Sequence, residues 1–258
     1  MPAGRLRTRL RVVTAVLAIA VAPPVGFVVY RAGVDNFGAI EPGRVYRSAQ
    51  MSPGTLAATI RDRRIKTVLN LRGVNAGEAW YRGEREATTA AGATLVDVAM
   101  SSCQWMSRAQ LRAVVRVLDT CDYPLIVHCQ HGAERTGWVA AVATLLRPGA
   151  TLQDAERQFS PGYLFVRYGD GKVMAEHLDQ YKDWLSSRGW DHSPARFRLW
   201  IDEGFRPGVP SREDWPYDPY PLVVVTRPAG KDDRPAGGSG AGKAGAVAQS
   251  PDGADVRR

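Results

Sequence analysis

Cysteine and histidine are scarce in this chain of 258 residues, which contains three cysteines and four histidines. Three cysteines are too few for the disulfide framework of a small secreted domain. No Cys-x2-Cys pair accompanies His128, Cys129 and His131, so a tetrahedral zinc site is not expected. We therefore predict neither a disulfide scaffold nor a metal centre, and we expect no cofactor.

Positive charge is also scarce in the middle of the chain, although the net charge is +8. Residues 1–31 contain five arginines and no acidic residue, and residues 226–258 contain six basic and four acidic residues. The part between them is nearly neutral, so it offers no basic footprint of the kind that binds nucleic acid. We expect no nucleic-acid partner.

The N-terminal segment, residues 1–35, combines clustered arginines with an uncharged run over residues 12–30. As a helix this run would be about 28 Å long, close to the membrane hydrocarbon core of about 30 Å. We predict a signal anchor that spans the cell membrane once, with the arginines in the cytoplasm and the folded domain on the extracytoplasmic side. The alternative is a cleaved signal peptide with its small-residue site at residues 18–20.

Short apolar runs alternate with amphipathic segments through the middle of the chain. Strands are predicted at residues 44–49, 66–71, 94–100 and 125–127, and helices after Ser52 and at residues 76–91, 107–118, 138–146, 151–158, 172–188 and 194–203. This order predicts an α/β fold with a mostly parallel central sheet and helices on both faces. The domain is placed at residues 38–205, after a linker at 36–43. An irregular extension (206–225) and a disordered tail (226–258) are expected to follow.

One segment joins a buried strand to an apolar helix through a tight loop. The strand runs into Cys129, and Arg135 follows six positions later, where the helix starts. Backbone N–H groups of such a loop, together with the positive end of the helix dipole, form a cradle for an anion. Gly132 allows the turn without interference from a Cβ atom. We predict a phosphate-binding loop made of Gln130, His131, Gly132, Ala133 and Thr136.

The chemistry of the two residues at the ends of this loop points to phosphoryl transfer. A free thiol has a pKa of about 8.5, and a helix N-terminus with a nearby cation lowers it. Cys129 is therefore the candidate nucleophile. Arg135 is suited to bind two phosphate oxygens at once, and Thr136 to offer its hydroxyl to the thiolate. The pattern favours attack on a phosphate monoester through a cysteinyl-phosphate intermediate.

The motif formed by His128-Cys129, Gly132 and Arg135-Thr136-Gly137 resembles the signature loop of the cysteine-dependent protein tyrosine and dual-specificity phosphatases. Two upstream segments, residues 45–48 and 68–73, resemble compact bacterial, plant and fungal members related to the dual-specificity group. The resemblance covers roughly residues 38–190. It implies a tyrosine-phosphatase-like fold and a metal-independent hydrolase of phosphotyrosine or phosphoserine and phosphothreonine esters.

Other interpretations of the same residues stay open. A cysteine after an apolar strand is often a small buried hydrophobic residue. A rhodanese-type sulfurtransferase also places a cysteine in such a loop, but the Arg-Thr-Gly ending argues against that class. The substrate is a phosphorylated protein or a small ester such as an inositol phosphate. Arg47 and Arg72 are candidates for a second phosphate contact, with ion pairing to an acid as the alternative.

The general acid is the point at which the chain departs from the family. Family members usually carry an aspartate on a mobile loop before the catalytic strand, but residues 101–107 contain no Asp or Glu. Glu134, inside the phosphate-binding loop, and Asp97, in the preceding strand, are the alternatives. We expect Glu134 to serve, because a strand residue can point away from the cleft. The missing loop acid also leaves open a catalytically weak module that binds phosphorylated ligands.

Overall fold

A central sheet organises the fold. The computed structural model describes residues 3–213 and 219–230, and six strands within them form one sheet. The strands are β1 (Gly38–Glu41), β2 (Val45–Ser48), β3 (Thr67–Asn70), β4 (Thr94–Val98), β5 (Leu125–His128) and β6 (Val223–Thr226). Their order is β1-β2-β5-β3-β4-β6, in which β2, β5, β3 and β4 are parallel and the two edge strands are antiparallel. The predicted α/β class with a mostly parallel sheet is confirmed.

Helices cover both faces of this sheet. In chain order the α-helices of the described residues are α1 (Ala3–Gly33), whose described side chains lie outside both hydrophobic cores, α2 (Pro53–Arg63), α3 (Ala79–Ala90), α4 (Arg108–Thr120), α5 (Glu134–Leu145), α6 (Leu152–Glu156), α7 (Val173–Ser186) and α8 (Pro194–Leu199), which continues into a π-helical turn, Trp200–Gly204. Ile126 of β5 packs in the smaller core with α2 and α3, whereas Leu125 and Val127 pack in the larger core with α4, α5 and α7. The central strand is therefore buried on both faces, as its continuous apolar run predicts.

Two helix starts show the local signals that fix the framework around the site. Ser52 caps α2 by accepting a hydrogen bond from the Thr55 backbone, and Pro53 occupies the first turn. Ser107 and Gln110 form a capping box at the start of α4. Both starts lie at the positions that the sequence predicts.

The N-terminal region differs from the predictions in two respects. Residues 38–41, within the predicted linker, form β1, which pairs with β2 at the edge of the sheet. A helix does form over Ala3–Gly33 and contains Pro23 and Pro24. However, no helix within the described residues is both long and apolar enough to cross a membrane. The predicted span over residues 12–30 and the membrane as a partner are thus not supported.

The C-terminal extension is more ordered than the predicted irregular segment. The run of valines in β6 pairs antiparallel with β4, because the edge of β4 offers unpaired backbone groups to an extended chain. Upstream, Trp105 exchanges backbone hydrogen bonds with Pro210 and Arg212. The extension therefore packs on the loop that precedes α4. Residues 231–258, most of the predicted disordered tail, lie outside the described residues.

Candidate active site

The phosphate-binding loop follows β5, the strand with a parallel neighbour on each side. The ends of β2 and β3 are in register with His128, so the segments after Ser48 and Asn70 flank the loop. Open α/β sheets bind ligands at this carboxyl edge. The predicted anion site therefore lies where the topology favours one.

Donors outside the loop hold its carbonyl groups. Gln50 N–H donates to the Gln130 carbonyl (3.1 Å), and Leu71 N–H donates to the His128 carbonyl (2.9 Å). The Asn36 side-chain amide donates to the His131 carbonyl (3.0 Å). The Arg47 guanidinium donates to the Gly132 carbonyl (2.8 Å). Because these carbonyls are turned towards the surrounding protein, the loop N–H groups are left to bind an anion.

Gly132 is required at its position. Its φ is +69°, in the left-handed region, and a Cβ atom there would lie 2.7 Å from the backbone of Ser48 and Ala49. No side chain fits without moving the end of β2. The prediction that Gly132 serves the turn is confirmed.

The Cys129 thiol is buried, with the residue 1% exposed. Burial by itself would raise its pKa. The charge of Arg135 opposes this effect, as do the polar groups near the sulfur, the Thr136 hydroxyl and the backbone N–H groups of Thr136 and Gly132. The net result is a pKa below the ordinary value for cysteine, which favours the thiolate, the nucleophilic form.

Arg135 lies with its guanidinium against the carboxyl ends of β3 and β4. Its Nη1 donates to the Met100 carbonyl (3.2 Å). Its Nε is buried and has no hydrogen-bond partner within the described part of the chain. A buried N–H without a partner is unfavourable, and a phosphate oxygen would satisfy it.

The remaining loop residues contribute mainly through their backbone. Gln130 and His131 expose their side chains to solvent, whereas Gly132, Ala133 and Thr136 are buried. The structure thus brings all the predicted phosphate-binding residues into one loop at the start of α5.

The two candidate acids have different surroundings. Asp97 is 1% exposed, and its oxygens accept hydrogen bonds from Tyr81 Oη (2.7 Å) and Asn70 Nδ2 (2.8 Å). Burial raises the pKa of Asp97 to about 6, although these two hydrogen bonds act to lower it. Both of its oxygens are engaged inside the protein, so it does not face a substrate. Glu134 is half-buried, and its side chain lies beside Gly171, just before α7.

Arg47 supports the loop from behind. It is fully buried, donates to the carbonyls of Gly132 and Gln158, and lies 3.8 Å from the centre of the Tyr163 ring. Burial lowers its pKa to about 10. Neither interpretation of Arg47 from the sequence, as a second phosphate contact or as the ion-pair partner of an acid, is correct. Its side chain instead donates to backbone carbonyls and so supports the loop.

Arg72 lies on the same rim as the nucleophile. It stacks on Trp80 at 3.5 Å from the ring centre and donates to Gln50 Oε1 (3.3 Å). Its pKa is lowered by burial and by the charge of Arg135, whereas Glu84 and Cys129 act to raise it. This coupling places Arg72 close enough to the anion site to interact electrostatically with a bound phosphate group.

Two residues of the site are missed by the sequence predictions. Asn36 falls in the predicted linker, and Glu84 does not stand out from the other acids of α3. Glu84 is 1% exposed and bonded to His128. A glutamate on the apolar side of an amphipathic helix, in line with Tyr81 and Thr88, is the only signal that the sequence offers.

A buried thiol with a lowered pKa, inside a loop of backbone donors and beside an arginine with an unsatisfied N–H, defines the class of site: one that binds a phosphate group next to a nucleophilic cysteine. Residues 31–147 match the family model described as "Tyrosine phosphatase family". The resemblance of the signature loop to the tyrosine phosphatases is confirmed by this match. The match supports a hydrolase of phosphate esters.

Two solved structures are among those that match the chain. TpbA of P. aeruginosa is 21% identical, covers 66% of this chain and 93% of its own, and gives a TM-score of 0.48. The core catalytic domain of the PP-IP phosphatase SIW14 from S. cerevisiae is 20% identical, covers 60% of this chain and 93% of its own, and gives a TM-score of 0.44. No curated protein sequence matches the chain.

Proposed function

We propose that the protein hydrolyses phosphate monoesters by way of a cysteinyl-phosphate intermediate, as a dual-specificity-like phosphatase. One observation carries this proposal. The buried Cys129 thiol, whose pKa is lowered, shares its loop with an Arg135 guanidinium whose Nε has no partner among the described residues. The same loop thus carries a nucleophile and a guanidinium that can bind two phosphate oxygens.

In the first step the phosphate dianion binds the loop N–H groups and Arg135. The Cys129 thiolate attacks phosphorus, a sulfur–phosphorus bond forms, and the bond from phosphorus to the leaving oxygen breaks. Glu134 is proposed to protonate that oxygen, since Asp97 has both oxygens engaged elsewhere. Arg135 stabilises the charge on the equatorial oxygens through its planar fork.

In the second step water attacks the phosphorus of the cysteinyl phosphate. Glu134 takes a proton from this water, the sulfur–phosphorus bond breaks, and inorganic phosphate leaves. The Thr136 hydroxyl, which has no hydrogen-bond partner within the described residues, is proposed to donate to the departing thiolate and stabilise it. These residues complete both steps without a metal ion.

The proposed substrates are phosphorylated proteins, with phosphotyrosine, phosphoserine or phosphothreonine as the ester. A second candidate is an inositol phosphate or another small ester with several phosphate groups. Arg72 favours this alternative, because it adds a second cation on the rim beside Arg135. Initial rates on matched panels of phosphopeptides and inositol phosphates distinguish the two.

We also propose that the domain lies on the extracytoplasmic side of the cell membrane. Because no described helix is apolar enough to span a membrane, the proposal rests on the alternative of a cleaved signal peptide, with the arginine cluster before the uncharged run at residues 12–30. A reporter enzyme that needs disulfide bonds, fused after residue 258, tests this proposal. Reporter activity in whole cells supports it, and an inactive but full-length fusion contradicts it.

Hydrolysis of nitrophenyl phosphate tests the proposed activity, because this leaving group needs little protonation. Cys129→Ser should abolish turnover, and Arg135→Lys should impair it severely, since an ammonium lacks the bidentate fork. Vanadate should inhibit and a chelator should not. Cys103→Ser, at an exposed cysteine, is the matched control and should retain activity. Turnover that survives Cys129→Ser, or that a chelator abolishes, contradicts the mechanism.

A further inference from the structure

Glu84 and His128 form a buried pair directly behind the nucleophile. Glu84 lies on α3 and His128 ends β5, and they are 1% and 2% exposed. His128 Nε2 is 3.0 Å from Glu84 Oε1, and His128 Nδ1 is 3.3 Å from the carbonyl oxygen of Cys129. The imidazole ring therefore joins a carboxylate to the backbone of the catalytic cysteine.

The contacts of this ring indicate where its protons are. A carbonyl oxygen only accepts, so the contact with Cys129 requires a proton on Nδ1. Glu84 also accepts a hydrogen bond from the Gln50 side-chain amide, which engages its second oxygen. With Glu84 ionised, Nε2 carries a proton as well, and His128 is an imidazolium.

We propose that Glu84 is a positioning residue that keeps His128 doubly protonated, and that the imidazolium in turn sets the reactivity of Cys129. The inference deepens the proposed phosphatase function and depends on it for its biological meaning. The charge of the ring stabilises the thiolate. Its Nδ1 proton binds the Cys129 carbonyl oxygen and so keeps that oxygen away from the N–H donors of the phosphate-binding loop.

The electrostatic surroundings agree with this protonation state. Burial would lower the pKa of His128, but the charge and hydrogen bond of Glu84 outweigh it, and the pKa is raised. Burial would raise the pKa of Glu84, but His128, Gln50 and Arg72 lower it. The pair thus favours carboxylate and imidazolium over their neutral forms.

Other charged and titratable groups face this pair from every neighbouring element. They are Tyr81 of α3, Arg72 after β3, Asp97 of β4 and Cys129 itself. Among these groups, Asp97 is the one whose own titration could change the reactivity of Cys129 in a similar way, because burial raises the pKa of Asp97 to about 6. However, it is bonded to Tyr81 and Asn70 rather than to His128. The variant Asp97→Asn therefore separates the effect of the direct contact between Glu84 and His128 from the effect of a nearby negative charge that does not contact His128.

The variant Glu84→Gln tests the proposal, because glutamine keeps the shape and the hydrogen bond but removes the charge. Its amide would donate to Nε2, and His128 would become neutral. Glu86→Gln is the matched control, since Glu86 lies two positions further along the same helix and is exposed. The readout is the rate at which iodoacetamide alkylates Cys129 as a function of pH, followed by peptide mapping. This measurement needs no turnover.

Glu84→Gln should slow alkylation at pH 6 roughly tenfold. It should also shift the midpoint of the alkylation profile to higher pH, and the acid limb of the pH profile of kcat/KM should shift with it. Glu86→Gln should move neither. An unchanged midpoint in Glu84→Gln overturns the proposal, as does an equal shift in Asp97→Asn.

A second variant covers the case in which Glu84→Gln does not fold. His128→Gln should give the same upward shift, because Glu84 acts through this ring. Where both fold, the double variant should be no slower than either single variant. A wild-type protein that is alkylated rapidly at pH 6 but hydrolyses no ester would contradict the proposed function and not the role of Glu84. An alkylation midpoint in His128→Gln that is unchanged from that of the wild type would contradict the role of Glu84 alone.

Discussion

The side-chain amide of Asn36 donates a hydrogen bond to the backbone carbonyl of His131, 3.0 Å away and 95 positions later in the chain. The same amide donates to the Tyr163 carbonyl (2.9 Å), and its oxygen accepts from Arg31 Nη2 (2.7 Å). Asn36 is 1% exposed. The segment before the first strand is therefore part of the support of the phosphate-binding loop.

Asn36→Asp should weaken this support, because aspartate keeps the acceptor for Arg31 and loses the donor. Two part-buried carbonyls would lose a donor, which costs at most about 1–3 kcal/mol for each unsatisfied group. We expect a lower midpoint of urea unfolding and weaker vanadate binding. Unchanged vanadate affinity would show that the loop keeps its shape without Asn36.

Gly132→Ala should distort the loop, because the new Cβ would meet the backbone of Ser48 and Ala49. Gly149→Ala is the control, since Gly149 also has a positive φ (+76°) but no atom within 4 Å of the point that an alanine Cβ would occupy. The control should lose about 1 kcal/mol of stability from backbone strain alone. Gly132→Ala should lose more and should no longer bind vanadate. Equal effects of the two substitutions would contradict the steric explanation.

The stability of the protein should fall as pH rises through the range in which Asp97 ionises. Burial raises the pKa of Asp97 from 3.8 to about 6, so the folded state binds the proton more tightly than the unfolded state does. The contribution of this group to stability is complete below pH 3.8 and is lost by about pH 6, with a magnitude of at most about 3 kcal/mol. Asp97→Asn should flatten that part of the curve of unfolding free energy against pH. An identical slope in wild type and variant would show that Asp97 does not titrate there.

Glu134→Gln should slow poor leaving groups more than good ones. A general acid contributes about 10²- to 10⁴-fold when the leaving oxygen must be protonated, and nitrophenolate needs little protonation. The variant should therefore lose more activity on a phosphoserine peptide than on nitrophenyl phosphate. Equal losses on both substrates would make Glu134 a binding or structural residue. A selective loss in Asp97→Asn instead would contradict the assignment.

The phosphate-binding loop could be predicted from the sequence because its parts are consecutive. The nucleophile, the turn glycine and the arginine all lie within seven residues, from Cys129 to Arg135. The parallel sheet could be predicted for a similar reason, since each strand is followed by its own helix. Local patterns are sufficient where structure is local.

The supporting residues could not be predicted, because they depend on contacts between distant segments. Glu84 gains its role only when α3 packs beside the end of β5, 44 positions later. Asn36 depends likewise on the loop, and β6 becomes a strand only because β4 leaves an edge for it. Its valines are an available signal, but the surrounding prolines favour an irregular segment.

The measurement that tests the central claim most directly is the location of the phosphoryl group during turnover. Acid quenching of the enzyme with nitrophenyl phosphate, followed by proteolysis and mass spectrometry, identifies the modified residue. We predict a phosphoryl group on the peptide that contains Cys129, and none in Cys129→Ser. A phosphoryl group on another residue, or rapid turnover with Cys129 unmodified throughout, would contradict it.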